Sequence, residues 1–495
     1  MRMTMVSRAG WLWQRDRVHA RYVPIVATAA FVLLLAVAVA SSHPRRVGDG
    51  TEYMAMAMNM AELRPPSVTA SDIADIESKF QAMGNYSQST LRNDIFLRPD
   101  GRQDFPHFWF YSALAAPEVR IAETVGINPA YAFAFLNAAL LAAAFYLVVK
   151  RLPVSITFLL FFGPVIWWVD KAHTEPFTFS LVAIAFVLLR EKPWWSMLAL
   201  AAAATQNPPI ALALPVVWIA AVAINRDWLR TRRFWVGSAA SGVLALLHPL
   251  YYLYFLHVYT PQVLNHGANA HVPTLAEFAA PVTDLNIGLL VNFPFWLPAI
   301  LAFAAIPLAL KSRRDFMRPA ILAAVATSLV FMLGFTQTIN FNSGSQGPSR
   351  YALWLIPLAI PAFLVVAPHL GRIVRIGAIV VAIVSMVASW SVYQPSQYEG
   401  KYLYPTQIAS FVWDRFPWLE NPLPEIFYER NAHAEQALHS IGTPNCTKIL
   451  LVFGQQAPKC LVPQPIPAAC KTQYCYANRR RDGGYNFVEV GPRSS

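Results

Sequence analysis

Apolar runs close to membrane-spanning length recur along this chain, and short clusters of lysine and arginine lie between them. The first run, Tyr22 to Ser41, has about 20 residues, enough for a helix to cross a bilayer and longer than the core of a signal peptide. Ten more follow: Ala130 to Val149, Leu152 to Val169, Pro176 to Leu189, Trp194 to Thr205, Pro209 to Ile224, Phe234 to Leu256, Leu289 to Leu310, Ala320 to Phe335, Tyr351 to Ala367 and Ile373 to Val392. Hydrophobic residues make up 56% of the 495 positions and charged residues only 13%, too apolar a balance for an ordinary soluble protein. The expected fold is an all-α polytopic membrane protein with about eleven transmembrane helices.

The basic clusters give this reading an orientation. With the N-terminus inside, the inner connections carry Lys150 and Arg151, Arg190 and Lys192, Arg226 to Arg233, Lys311 to Arg318, and Arg372 with Arg375. The short outer connections carry only Lys171 and Arg350, as the positive-inside rule requires, so the C-terminus is expected outside. The net charge of +12 is therefore spread over membrane borders and not gathered into a nucleic-acid-binding face. Membrane lipids are the partners it implies.

Two outer segments are long. In the first, residues 42–128, Ile73, Ile76, Phe80 and Met83 recur at helical spacing and predict an amphipathic helix on the membrane surface. Phe105 to Ala116 is apolar but only about 12 residues long, which suits an interfacial or re-entrant segment and not a span. The second is the tail from Tyr393 to Ser495, expected as a small outer domain beside the membrane domain of residues 1–392. It holds all four cysteines, Cys446, Cys460, Cys470 and Cys475, and in an oxidising compartment they imply two disulfides of open connectivity.

Ionisable groups at a membrane border are costly and usually have a partner or a task. Asp49 lies between Gly48 and Gly50, with Glu52 and Tyr53 three and four positions on, so all three can face one cavity. The same Asp and Glu also fit a helix-capping box for the stretch from Met54 to Leu63, and the two roles are compatible. Asp170 to Glu175 reads DKAHTE, placing Lys171, His173 and Glu175 in one tight turn that is otherwise a solvated helix cap. Arg350, next to Tyr351, suits two-point contact with a phosphate, or snorkelling to lipid headgroups. His107 and His248 are weaker candidates, read more simply as interfacial and packed side chains. No P-loop, GxGxxG, HExxH or GxSxG motif is present.

GDGTEY at Gly48 to Tyr53, DKAHTEPF at Asp170 to Phe177, GLLVNFPFWLP from Gly288 and GPSRYALWLIPLAIP from Gly347 together resemble the GT-C superfamily of polyprenyl-phosphate-dependent membrane glycosyltransferases. The likeness implies an inverting enzyme that moves a sugar from a polyprenyl-phosphate donor to a glycan, lipid or protein acceptor. It places the protein in the plasma membrane of a bacterium with its site facing the periplasm. Asp49 and Glu52 are then the catalytic carboxylates, and Tyr53, Lys171, His173, Glu175, Arg350 and Tyr351 bind substrate. No cofactor is required by the likeness, but a divalent metal, if one takes part, would be held by Asp49, His173 and Glu175. In place of the commoner Asp-Glu pair, Gly50 and Thr51 separate the two acids. The rival readings are a polysaccharide ligase or polymerase using lipid-linked glycans, and a lipid or solute transporter.

Overall fold

A computed structural model describes residues 6–42, 44, 48–82, 91, 96–264, 267–268, 271–292, 317–338, 347–369, 372–397, 399–435, 437–459, 461 and 465–490. Most of the described chain is helical. In order come α1 (Val6–Ala40), α2 (Gly50–Ala61), α3 (Ala70–Ala82), the short strands β1 (Phe96–Leu97) and β2 (Gln103–Asp104), α4 (Phe110–Thr124) and α5 (Ala130–Val149). They are followed by α6 (Val154–Phe161), α7 (Glu175–Leu188), α8 (Pro193–Ala204), α9 (Ala213–Ile224), α10 (Arg232–Leu256) and α11 (Leu275–Thr283). Next are α12 (Met317–Thr336), α13 (Ile360–Val366) and α14 (Arg372–Tyr393), and then the C-terminal domain.

Among the described residues, five helices are long and apolar enough to cross a membrane: Tyr22–Ala40, Ala130–Val149, Arg232–Leu256, Arg318–Thr336 and Ile376–Tyr393. They fall on five of the eleven expected spans. The expected span from Leu289 lies outside the described residues beyond Asn292. The other five expected spans are shorter helices or broken ones, and proline accounts for the breaks. The stretch Leu152 to Val169 is α6 followed by a 3-10 helix, Pro164–Trp168, after an extended Gly163. Tyr351 to Ala367 lies mainly in a 3-10 helix, Arg350–Ala359, containing Pro357, and in α13, where Pro361 stands in the first turn. Broken backbone is tolerated at membrane depth only where protein surrounds it. Pro164 to Trp168 are all buried.

The centre of the bundle is α7, which packs against α5, α8 and the Arg350–Ala359 segment and is buried along most of its length. Its Phe179 and Phe186 join Phe31, Phe145, Trp168 and Trp354 in the main apolar core. A second core lies outside this one. There α2 packs on α4, and Tyr53, Met54, Met56 and Met58 meet Ile73, Ile76, Phe80, Tyr111 and Phe133. The apolar face of α3 is therefore turned into protein and not onto the lipid surface expected from its periodicity; Met83 lies outside the described residues. The aromatic run from Phe105 forms a loop leading into α4, whose 15 residues are too short to span.

The C-terminal domain combines α15 (Gln407–Arg415) and α16 (Pro424–Ala432) with an antiparallel sheet of β3 (Ile441–Gly442), β4 (Lys448–Leu451), β5 (Tyr474–Arg479) and β6 (Tyr485–Val490), in that order. Leu450 and Tyr476, paired across β4 and β5, face Trp413 and Phe427 on one side of the sheet. Ile449 and Ala477 face the opposite side with Cys470, Cys475 and Tyr485. Cys470 and Cys475 form a disulfide; Cys446 is also disulfide-bonded, and Cys460 lies outside the described residues. The turn after α11 joins this domain to the membrane helices. Thr406 Oγ1 donates to Leu285 O at 2.6 Å, Leu285 N donates to Glu420 Oε1 at 2.9 Å, and Ser349 N donates to Ile287 O at 2.8 Å. The last of these bonds lies one residue before Arg350.

Candidate functional site

The backbone turns sharply into α2 at Asp49. Gly48 has φ of +49°, a conformation that favours glycine, and a Cβ on Gly50 would lie 3.0 Å from Ala172 O. The two glycines therefore let the loop before α2 rest directly on the Asp170 to Glu175 turn. Asp49 occupies the N-cap position of α2, but its side chain makes no capping hydrogen bond. The carboxylate is committed elsewhere, so the capping-box reading of Asp49 and Glu52 is set aside.

Asp49 Oδ2 accepts from Arg350 Nη1 at 2.7 Å, a partner 301 residues away in sequence. The same oxygen lies 3.3 Å from His107 Nε2 and 3.7 Å from His173 Nε2. Each histidine is backed by a glutamate: His107 Nδ1 is 2.7 Å from Glu52 Oε2, and His173 Nδ1 is 2.5 Å from Glu175 Oε2. Two histidine–glutamate pairs thus converge on one carboxylate, which the arginine also engages. Arg350 Nη1 lies 3.3 Å from His173 Nε2, Nη2 donates to Tyr351 Oη at 3.1 Å, and Nε lies 3.8 Å from Glu175 Oε1. Tyr53 is buried with its ring edge-on to both imidazoles, at 5.6 and 6.1 Å. The side chain of Asp49 is 24% exposed and that of Arg350 16%, against 2% for His173 and Glu175. Asp49, Arg350 and His107, whose side chain is 17% exposed, are therefore the groups open to a substrate, and His173 and Glu175 stand behind them.

Opposed charges set the protonation of the site. Burial pushes the Asp49 carboxyl up, but His107 and Arg350 beside it prevail and hold it well below the usual carboxylate range. Burial pushes His107 down, but Asp49 and Glu52 outweigh this and raise it well above the ordinary imidazole value. Burial, reinforced by the Asp49 charge, raises the Tyr53 phenol and keeps it neutral. A histidine raised on folding stabilises the protein fully below its unfolded pKa, and that contribution is lost as pH rises through the folded value. Thermal melts of the purified protein should therefore lose stability as the pH is raised from neutral into the alkaline range. His107→Gln should flatten that dependence, and an unchanged slope would show that His107 does not cause it.

His107 is the strongest addition to the residues expected here. It comes from the loop before α4, and its carbonyl accepts from Tyr252 Oη of α10 at 3.0 Å. Asp49, Glu52, Tyr53, His173, Glu175, Arg350 and Tyr351 are brought together as expected. Lys171 is not among them. Its ammonium turns inward to Asp170 Oδ1 at 2.8 Å, Trp167 O at 2.5 Å and Pro395 O at 3.1 Å, and both charged side chains are fully buried. No group of three or more His, Cys, Asp or Glu among the described residues is arranged to hold a metal ion. The guanidinium of Arg350 stands where Asp49, His173 and Glu175 would have to meet one. His248 is buried in α10 with Nδ1 against Thr205 O, as a packed histidine.

Comparison with known protein families, curated proteins and solved structures found no match.

Proposed function

We propose that this protein is an inverting glycosyltransferase that takes a sugar from a polyprenyl-phosphate donor at the outer face of a membrane. The observation that carries the reading is the Asp49–Arg350 pair, a partly exposed carboxylate beside a partly exposed guanidinium at the end of an apolar helix bundle. The guanidinium suits a phosphate and the carboxylate a hydroxyl proton. In the step itself, the acceptor oxygen forms its bond to the anomeric carbon as the bond from that carbon to the phosphate oxygen breaks. Asp49 takes the acceptor proton, and the polyprenyl phosphate leaves with the electron pair, its charge stabilised by Arg350. Single displacement inverts the anomeric centre. His107 and Glu52 hold the carboxylate from one side, and His173 and Glu175 from the other.

The basic clusters support a topology with the N-terminus inside and the C-terminus outside, hence a site and a disulfide-bonded domain on the outer side, and the family likeness supports a bacterial plasma membrane with that side periplasmic. A transporter would be expected to carry ionisable groups within several spans, and the packed His248 does not supply one. Purified protein in liposomes, supplied with a radiolabelled panel of polyprenyl-phosphate sugars and crude envelope acceptors, should yield labelled product and free polyprenyl phosphate. Lipid or sugar movement without product would replace the transferase reading with transport.

A further inference from the structure

Asp49 presents its two oxygens differently. Oδ2 faces three nitrogen groups, on Arg350, His107 and His173, while Oδ1 has no hydrogen-bond partner among the described residues. Arg350 is shared as well. Its Nη1 is on Asp49, its Nη2 on Tyr351, and its buried Nε makes no hydrogen bond. With Nε buried beside Glu175, a further acceptor reaches the guanidinium at its Nη groups, in competition with Asp49 and Tyr351. A phosphate taking two of its N–H groups is a stronger acceptor than a single carboxylate oxygen.

We infer that Arg350 masks Asp49 in the resting protein, and that the donor phosphate draws the guanidinium away and so releases Asp49 as a base. This rests on the transferase reading and adds an order to it. A carboxylate engaged by a guanidinium is a poor proton acceptor, so acceptor activation waits for the donor. His107, held by Glu52 at 2.7 Å, stays on Oδ2 after the exchange, so losing the guanidinium restores part of the carboxylate's basicity and leaves Oδ1 to the incoming hydroxyl. Water has correspondingly little chance to be activated before a donor is bound.

Competition for one guanidinium is reciprocal: if phosphate must displace Asp49, removing the Asp49 charge must strengthen phosphate binding. The test measures the affinity of a short-chain polyprenyl monophosphate, without sugar, for the purified full-length protein and its variants in detergent. Asp49→Asn should bind roughly tenfold more tightly than the wild type, the size of a typical coupling. Asp49→Ser removes the same charge and stands in should the asparagine protein fail to fold. Arg350→Gln should abolish the binding, and adding Asp49→Asn to it should restore none. Equal affinity in wild type and both Asp49 variants would overturn the exchange while keeping a phosphate site. Absence of binding in folded wild type and Asp49→Asn alike would overturn the phosphate site and the exchange together. Inorganic phosphate run as a competitor separates recognition of the phosphate group alone, where it displaces the lipid, from recognition that needs the lipid chain, where it does not; displacement with the same Asp49 dependence supports the exchange, and displacement without it counts against it.

Discussion

Asp49→Asn is expected to lower glycosyl transfer by about 10²- to 10⁴-fold, the usual contribution of a positioned general base. The substitution is close to isosteric and falls at a side chain that is 24% exposed, in a loop whose turn is set by Gly48 and Gly50. The carboxylate caps no helix, so α2 loses no side-chain cap when it becomes an amide. What is lost is the acid–base function and the negative charge shared by Arg350, His107 and His173. Glu52→Gln should be milder, because Glu52 is bonded to His107 and not to Asp49 itself. Rates in reconstituted liposomes, with circular dichroism to confirm folding, make the comparison. Transfer at the wild-type rate by a folded Asp49→Asn protein would remove Asp49 from the base role.

Much of this cluster was legible because charge at a membrane border is scarce. GDGTEY, DKAHTE and Arg350 are places where ionisable groups interrupt the apolar sequence between expected spans, and the fold joins Asp49 to Arg350 and His173, His173 to Glu175, and Glu52 to Asp49 through His107. His107 was harder to rank. It stands in an aromatic run whose nearest acid in sequence, Asp104, is engaged by Tyr251 and Arg98, and its own carboxylate partner, Glu52, is 55 residues away. The periodicity of α3 correctly marked an apolar face but said nothing of what covers it, since lipid and protein demand the same residues. Ile73, Ile76 and Phe80 meet other helices. Hydropathy likewise registered the runs around Pro164, Pro357 and Pro361 as spans, although the backbone there departs from a continuous α-helix. The direction of a turn side chain is still less readable, and Lys171 is the case in which that matters most.

Lys171→Met is expected to destabilise the folded protein by about 3–5 kcal/mol, the cost of leaving one member of a buried ion pair without its partner. Lys171 is one of the two basic residues on the short connections expected to face outward, and the family likeness assigns it to substrate binding. Its ammonium instead lies over the Trp167 ring, 4.0 Å from the centroid, and donates to two carbonyls and to Asp170. One of those carbonyls, on Pro395, belongs to the segment following α14, so the lysine ties the Asp170 to Glu175 turn to the end of the membrane domain. Asn137 of α5 holds the same turn from the other side, donating to Lys171 O at 2.9 Å. His173 and Glu175 stand on that turn, so a loosened Lys171 would disturb Asp49 without ever touching a substrate. The double variant Asp170→Asn, Lys171→Met removes both charges and should recover part of the lost stability, because no buried carboxylate is then left unpaired. Thermal unfolding in detergent of the wild type, Lys171→Met and the double variant measures the coupling. A Lys171→Met protein that melts like the wild type yet no longer binds a polyprenyl monophosphate would return Lys171 to the phosphate site; loss of stability that Asp170→Asn partly relieves makes it the brace beneath that site.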